Sequence, residues 1–188
     1  MAAESTLKNM ALCLTAVCLI CSAVVGVAYA VTKEPIDAAA QAKTTASIAA
    51  VLPEFSGVPE QGSVGMDGVE YKYYKVDDGL YAIISSTSGF GGALTLMVGI
   101  DDKGVVHNTT VLSHSETPGL GAKCTTDEHF ISQFRGFDPA VKSLTVKKDG
   151  GDLDAITAST ITSRAYALAV SNAVAVYHKL TDGGQGNE

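Results

Sequence analysis

Basic residues are scarce in this chain of 188 residues, and they are not clustered. Lysine and arginine together number 13 against 20 aspartates and glutamates, so the formal net charge is -7. Lys147 and Lys148 form the single adjacent basic pair. Because binding to a nucleic-acid backbone requires a basic face, this composition argues against a nucleic-acid partner.

Cysteines are also few, and three of the four lie in one apolar stretch, at Cys13, Cys18 and Cys21. Their C-x4-C-x2-C spacing matches part of an iron–sulfur motif, but side chains on a continuous helix point in different directions. We therefore interpret them as packing residues and predict no metal site. Cys124 has no obvious partner outside this stretch, so no disulfide framework is expected.

Charge is absent from residues 10–31, which run "MALCLTAVCLICSAVVGVAYAV". A helix of this length covers about 33 Å, enough to cross a hydrocarbon core, so we predict a transmembrane helix after a short cytoplasmic tail at 1–9. The alternative is a cleaved signal peptide, with Lys8 as its basic region and Ala28-Tyr29-Ala30 as its cleavage pattern. The apolar run exceeds the usual length for a signal peptide, which favours the anchor. The rest of the chain is then expected on the extracytoplasmic side of the cytoplasmic (inner) membrane, as a single-pass protein.

Residues 32–53 are rich in alanine and end at Pro53, a pattern that predicts a helical stalk. Beyond the stalk, residues 54–182 are predicted to form one extracytoplasmic domain. The acidic, glycine-rich residues 183–188 are predicted to be a flexible tail.

The fold class follows from the order of patterns inside this domain. From Val69 to His114, aromatic and β-branched residues occur in short runs separated by Asp-Gly and Gly-Gly, which predicts antiparallel hairpins. A short helix near 125–137, a strand near 140–148 and a final helix from about 161 to 179 follow. The predicted inward face of that final helix consists of Ile161, Ala165, Leu168, Ala169 and Val176. Because the strands follow one another without crossover helices, we predict an α+β fold, an antiparallel sheet with flanking helices.

The loop "SETPGLGAK" at residues 115–123 is the first candidate binding element. Pro118 restricts the backbone, while Gly119 and Gly121 allow a ligand to approach the main chain. Leu120 offers an apolar side chain to a planar ring. Taken alone, the loop is better explained as an ordinary tight turn, because Pro-Gly turns are common. The pair Glu116-Thr117 just before Pro118 and a second hydroxyl-rich segment later in the chain favour the binding interpretation.

The second candidate element is the hydroxyl-rich start of the final helix, from Thr157 to Thr162. One serine or threonine is enough to cap a helix, so the additional hydroxyls exceed the need for capping. A helix N-terminus also attracts phosphate through its free N–H groups and its dipole. The segment is therefore a candidate phosphate site, in which a threonine hydroxyl could be esterified.

Several motifs along nearly the whole chain together resemble one family: the membrane-anchored flavoproteins of the Rnf and Nqr electron-transport complexes, and among them the G subunit of the Rnf complex. The motifs that carry the resemblance are, in order, "VLPEF" at 51–55, "GFGGALTLMVGID" at 89–101, "VLSHSETPGLGAK" at 111–123, "FISQF" at 130–134 and "DAITASTITS" at 154–163. The resemblance implies that residues 54–182 are an FMN-binding domain.

In this family a flavin transferase consumes FAD and joins FMN, through its phosphate, to the last threonine of a D-x-x-[ST]-G-A-T pattern. The resemblance therefore implies that Thr160 carries covalent FMN, with Asp154, Thr157 and Ala158 as further positions of the pattern. This chain has Ala158-Ser159 where the family usually has Gly-Ala, and Thr162 is an alternative acceptor at a longer spacing from Asp154. The other residues assigned to FMN are Glu116, Thr117, Gly119, Leu120, Gly121, Ser159 and Thr162.

The function implied by the resemblance is electron transfer through covalent FMN in a membrane-bound, ion-translocating ferredoxin:NAD oxidoreductase complex. The implied partners are the other subunits of that complex, the membrane and, during maturation, the flavin transferase. Since the cofactor supplies the redox chemistry, no catalytic side chain is assigned. Two alternatives stay open: a membrane-anchored binding or assembly module without covalent flavin, and the C subunit of a sodium-translocating NADH:quinone reductase.

Overall fold

The computed structural model of the chain describes residues 7–53, 55, 57–76 and 79–182. The predicted flexible tail at 183–188 and most of the predicted cytoplasmic tail lie outside these residues. The chain divides into two compact units, residues 1–44 and 45–188.

Helix α1 runs from Leu7 to Val51 and includes both the apolar segment and the alanine-rich segment. Among the described residues, it is the one helix that is long and apolar enough to cross a membrane. Its large apolar side chains between Met10 and Val31 are exposed. The hydroxyls of Thr15 and Thr32 donate to the carbonyl oxygens four residues earlier, at 2.9 and 2.8 Å, so neither hydroxyl needs a partner outside the helix.

The second unit is built on one sheet in which each strand is antiparallel to the next, in the order β1-β2-β3-β4-β5. The strands are β1 Glu60–Met66, β2 Val69–Val76, β3 Leu80–Ser88, β4 Ala93–Ile100 and β5 Val106–His114. The predicted α+β fold with an antiparallel sheet is confirmed.

Strand β1 is not among the predicted strands, because two glycines and few β-branched residues hide its pattern. The signal that could have revealed it is the dipeptide Asp67-Gly68. Both residues have positive φ, 52° and 77°, and together they form the two-residue turn that joins β1 to β2.

The first face of the sheet is covered by helix α3, Thr160–Asp182, which confirms the predicted final helix. Ala165, Ala169 and Val176 are buried against the sheet as predicted. The prediction for Ile161 and Leu168 is wrong, since they are 50% and 54% exposed. The buried side of α3 instead consists mostly of small or hydroxyl residues, which let the helix lie close to the strands.

The end of helix α1 packs on the opposite face of the sheet. Ile48, Val51 and Leu52 are buried there with Val76, Ala82 and Met97. These residues all belong to the second compact unit, which begins at Thr45. The sheet is therefore covered on both faces within this unit.

The connection between β5 and α3 contains short elements. A 3₁₀ helix spans Gly121–Thr125, and helix α2, Glu128–Ser132, confirms the predicted short helix. The predicted strand near 140–148 is wrong: Val146 makes a single isolated bridge, to Leu153, and a 3₁₀ helix follows at Lys147–Asp149. The chain turns back immediately after this helix, so no longer run of strand pairing can form.

Candidate functional site

A cavity of about 350 Å³ lies where three segments of the second unit meet. These segments are the turn between β3 and β4, the loop after β5, and the start of α3. The cavity is lined by Phe90, Glu116, Thr117, Leu120, Gly121, Ala158, Ser159, Thr160, Ile161 and Thr162. The two candidate elements identified in the sequence therefore come together in one place.

The carboxylate of Glu116 links the three segments. Although the residue is only 5% exposed, its Oε1 accepts hydrogen bonds from the backbone N–H of Phe90 at 2.8 Å and of Gly91 at 3.4 Å. Its Oε2 accepts a hydrogen bond from the Thr162 hydroxyl at 2.7 Å. These three donors stabilise a buried carboxylate whose desolvation would otherwise be unfavourable.

Two glycines make room for this carboxylate. A Cβ atom added to Gly89 would collide with Oε1 of Glu116, and one added to Gly121 would collide with Oε2. Glycine is therefore needed at both positions for the close approach of backbone to carboxylate. Of the two, Gly121 is assigned to the site from the sequence, for its approach to the ligand.

The loop after β5 contains a tight turn at residues 117–120, in which the N–H of Leu120 donates to the carbonyl of Thr117 at 3.2 Å. Pro118 occupies its second position and Gly119, with φ of 77°, its third, as in a type II turn. Thr117 and Leu120 line the cavity, whereas Gly119 does not. The glycine shapes the turn that presents its neighbours.

A similar turn precedes helix α3 at residues 156–159, where the N–H of Ser159 donates to the carbonyl of Ile156 at 3.0 Å. Its third residue is Ala158, with φ of 61°. This left-handed conformation is less favourable by about 1 to 2 kcal/mol for a residue with a side chain. The Ser163 hydroxyl holds the turn, because it donates to the Ser159 carbonyl at 3.0 Å and accepts from the Ile156 N–H at 2.9 Å. The glycine of the family pattern at this position suits the backbone better than alanine does.

Three hydroxyls at the start of α3 have different environments. Thr160 lines the cavity, is partly buried, and its Oγ1 accepts a hydrogen bond from Lys148 Nζ at 3.2 Å. Thr162 is 1% exposed and donates to Glu116. Ser159 is 7% exposed, lines the cavity, and its Oγ has no hydrogen-bond partner in the part of the chain that the structure describes. A buried hydroxyl without a partner is unfavourable, and Ser85 Oγ on β3, outside the cavity, is in the same state.

Apolar side chains surround the mouth of the cavity. Phe90, Leu120 and Ile161 are 68%, 45% and 50% exposed and all line it. Of these, only Leu120 is singled out by the sequence. The signal for Phe90 is an aromatic residue between glycines in "GFGG", whereas the sequence pattern places Ile161 on the core face of its helix.

Two residues of the family pattern, Asp154 and Thr157, do not line the cavity. The Asp154 carboxylate pairs with Lys147 Nζ at 2.7 Å, while its backbone N–H donates to Gln133 Oε1 at 2.6 Å. Thr157 is exposed at the second position of the turn before α3. Asp154 therefore contacts neighbouring segments of the chain, whereas Thr157 faces solvent.

Comparisons with known proteins bear on the same segments. Residues 89–175 match the family model described as FMN-binding domain. The chain is 35% identical over 162 residues to the G subunit of the ion-translocating oxidoreductase complex of Vibrio vulnificus, a match that covers 76% of each chain. The chain belongs to this family of G subunits. The resemblance inferred from the sequence motifs is thereby confirmed.

Other relatives match over shorter segments. The G subunit of the ion-translocating oxidoreductase complex of Shewanella baltica is 48% identical over 90 residues, which are 46% of this chain and 42% of the relative. The G subunit of the proton-translocating ferredoxin:NAD(+) oxidoreductase complex of Clostridium ljungdahlii is 38% identical over 106 residues, 55% of this chain and 56% of the relative. In these matches the chain spans about half the length of its relatives.

Among solved structures, the crystal structure of the C subunit of the Na(+)-translocating NADH-quinone reductase from Parabacteroides distasonis is similar to this chain. The TM-score is 0.47 at 20% sequence identity, and the match covers 63% of this chain and 65% of the other.

The residues of the cavity fit the FMN that the domain family binds. The unpartnered Ser159 hydroxyl lies just before the N-terminus of the 23-residue helix α3, where a phosphate is favoured. The apolar side chains at the mouth suit a planar ring, and the volume lies at the lower end of the range for small-molecule sites.

The strained turn before α3 leads to a stability prediction. Replacing Ala158 with glycine removes about 1 to 2 kcal/mol of backbone strain. Glycine also loses more conformational freedom on folding than alanine does, which destabilises the folded state by about 0.5 to 1 kcal/mol. We expect Ala158→Gly to stabilise the protein by about 0.5 to 1 kcal/mol, which corresponds to roughly 2 °C in thermal unfolding of the full chain in detergent.

Ala155→Gly is the matched control, because the same substitution falls in the same segment at a residue without positive φ. We expect it to leave the unfolding temperature unchanged or to lower it. An equal response of the two variants would mean that the conformation of Ala158 carries no strain.

Proposed function

We propose that this chain holds FMN in the cavity, joined through its phosphate to Thr160, and that it relays electrons as one component of an ion-translocating oxidoreductase complex. One observation carries the assignment to Thr160. Its hydroxyl lines the cavity at the first residue of α3, next to the unpartnered hydroxyl of Ser159 and below the apolar mouth. Membership of the family of G subunits and the match to the FMN-binding domain support the wider function.

The environments of the other threonines support the choice of Thr160 as the acceptor. Thr162 is almost fully buried and its hydroxyl is engaged with Glu116, so esterification would require breaking that hydrogen bond. Thr157 is exposed but does not line the cavity. Thr160 alone among the three combines a place in the cavity with partial exposure.

Attachment is a group transfer that uses FAD and a flavin transferase as the partner enzyme. The bond between Thr160 Oγ1 and the flavin-side phosphorus forms, and the bond joining that phosphorus to the bridging oxygen of FAD breaks. AMP departs with the bonding electrons, while the hydroxyl proton is released to solvent. When bound, FMN supplies the redox chemistry.

The chain's own residues would bind and orient the cofactor. Phe90, Leu120 and Ile161 would contact the apolar ring system, because they form the mouth of the cavity. The first N–H groups of α3 and the Ser159 hydroxyl would bind the phosphate. Glu116 would hold the turn between β3 and β4 against α3, so that these contacts keep their relative positions.

The test of this function is to co-express the full chain with a flavin transferase and to measure its intact mass. A single increase equal to FMN minus water is expected, located at Thr160 by fragmentation of the modified peptide, because that peptide also contains Thr157 and Thr162. Flavin on Thr162 or Thr157 would refute the acceptor assignment. An unmodified chain would refute covalent attachment and favour a flavin-free assembly module instead.

We also propose that α1 anchors the protein in the cytoplasmic membrane as a single span, with residues 54–182 on the extracytoplasmic side. The uncharged, exposed run at residues 10–31 supports the membrane span. We expect protease added to spheroplasts to degrade the second unit, and N-terminal sequencing of the membrane-extracted protein to find residues 10–31 intact. A protein that begins at Val31, or that is protected until the membrane is opened, would contradict the proposal.

A further inference from the structure

The 3₁₀ helix Lys147–Asp149 contacts residues 154–164, which include the proposed attachment residue Thr160, through each of its three residues. Lys147 Nζ pairs with Asp154 Oδ2 at 2.7 Å, and Lys148 Nζ donates to Thr160 Oγ1 at 3.2 Å. Asp149 forms two hydrogen bonds with Arg164, from Nε and Nη2, both at 2.6 Å. The sequence pattern predicts a strand at residues 140–148, so it gives no sign of this short helix.

The two outer contacts restrain the backbone that carries Lys148. The Asp149 and Arg164 pair is bidentate, which fixes geometry as well as distance, and the same contact lowers the pKa of Asp149. On the N-terminal side of Lys148, Lys147 pairs with Asp154. The residue before Lys147, Val146, is buried, at 1% exposed. Since both neighbours of Lys148 are bound, its side chain is brought to Thr160 by the local backbone rather than by chance on a free loop.

The contact between Lys148 and Thr160 places a positive charge at the proposed attachment residue. A phosphodiester on Thr160 carries one negative charge, and the cavity already contains the buried carboxylate of Glu116. Two like charges in one cavity repel each other. Lys148 is the basic side chain whose ammonium group contacts the attachment hydroxyl, and a charge-assisted hydrogen bond from it would offset this repulsion.

We propose that Lys148 is a positioning residue for flavin attachment: it orients the Thr160 hydroxyl before the transfer and pairs with the phosphate afterwards. This inference rests on the proposed covalent attachment of FMN to Thr160. Lys148 takes no proton in the transfer, because its ammonium group is a donor only. It holds the oxygen that forms the new bond to phosphorus, and then an oxygen of the resulting diester.

The experiment measures the initial rate of covalent flavin incorporation into the purified full chain, with a purified flavin transferase and FAD. We expect Lys148→Gln to lower this rate about fivefold, the upper end for an exposed ion pair, and to weaken its dependence on salt. Lys148→Arg retains the charge and should restore most of the rate. Lys72→Gln is the matched control, since it removes the same charge from an exposed residue of β2, whereas Lys148 contacts Thr160.

The outcomes separate this inference from the function on which it rests. If the parent chain takes up no flavin at Thr160, the proposed function fails and the inference fails with it. If the parent is modified and Lys148→Gln is modified at the same rate, only the role of Lys148 is refuted. A rate that falls equally in Lys148→Arg, or equally in Lys72→Gln, would likewise refute a specific role for this charge.

Discussion

Replacing Thr160 with alanine is expected to abolish covalent flavin and to leave the protein folded. The Thr160 hydroxyl makes an exposed hydrogen bond with Lys148, so its loss should reduce the free energy of unfolding by at most about 1 kcal/mol. Alanine is also well accommodated at the start of a helix. In-gel fluorescence and intact mass measure the flavin, and circular dichroism checks the fold.

Thr125→Ala is the control for this experiment. It removes an exposed threonine hydroxyl that makes one hydrogen bond, to the Ala122 carbonyl at 2.8 Å, and that lies outside the attachment pattern and the cavity, so we expect it to retain the flavin. Flavin that persists in Thr160→Ala would show that the acceptor is misassigned, and an equal loss in Thr125→Ala would show that the effect is not specific to Thr160.

Replacing Glu116 with alanine is expected to destabilise the protein by about 2 to 3 kcal/mol, because charge-assisted hydrogen bonds are lost and donors are left without partners. The largest part should come from Thr162, which is 1% exposed and loses its acceptor. Phe90 and Gly91 are more exposed, so water can replace the carboxylate at their N–H groups. We also expect less flavin per protein, since the turn between β3 and β4 is no longer tied to α3.

Glu116→Gln separates the charge from the hydrogen-bonding framework. Its amide oxygen can still accept from Phe90 and Gly91, and its amide nitrogen can donate to the Thr162 hydroxyl, so a loss of about 1 kcal/mol or less is expected. Urea unfolding of the full chain in detergent measures both variants. If alanine and glutamine destabilise equally, the charge rather than the framework is the important property of Glu116.

The two tight turns beside the cavity show how far a local pattern predicts backbone conformation. Both have a positive φ at the third position, with Gly119 in one and Ala158 in the other. The first is readable from Pro118-Gly119, because that dipeptide is typical of a type II turn. The second is not, since alanine gives no sign of a left-handed conformation that its neighbours impose.

The predictions that the structure confirms depend on local chemistry. Runs of β-branched and aromatic residues with Asp-Gly and Gly-Gly between them indicate the antiparallel hairpins, and apolar spacing indicates the final helix. The same local rules fail in two places. Strand β1 has a composition that is poor in strand formers, and residues 140–148 are rich in them without having an adjacent strand with which to pair.

What the sequence determined by itself was therefore the hairpins from β2 to β5, the final helix, the apolar N-terminal segment, the family and the two segments of the candidate site. Only the tertiary structure decided how these segments cooperate. Glu116 bonds to Phe90 and to Thr162, which are 26 and 46 residues away along the chain, and Lys148 reaches Thr160 because a 3₁₀ helix replaces the expected strand. Such contacts join residues that no local pattern relates, because their distance is set by the packing of the sheet and α3 and not by their spacing in sequence.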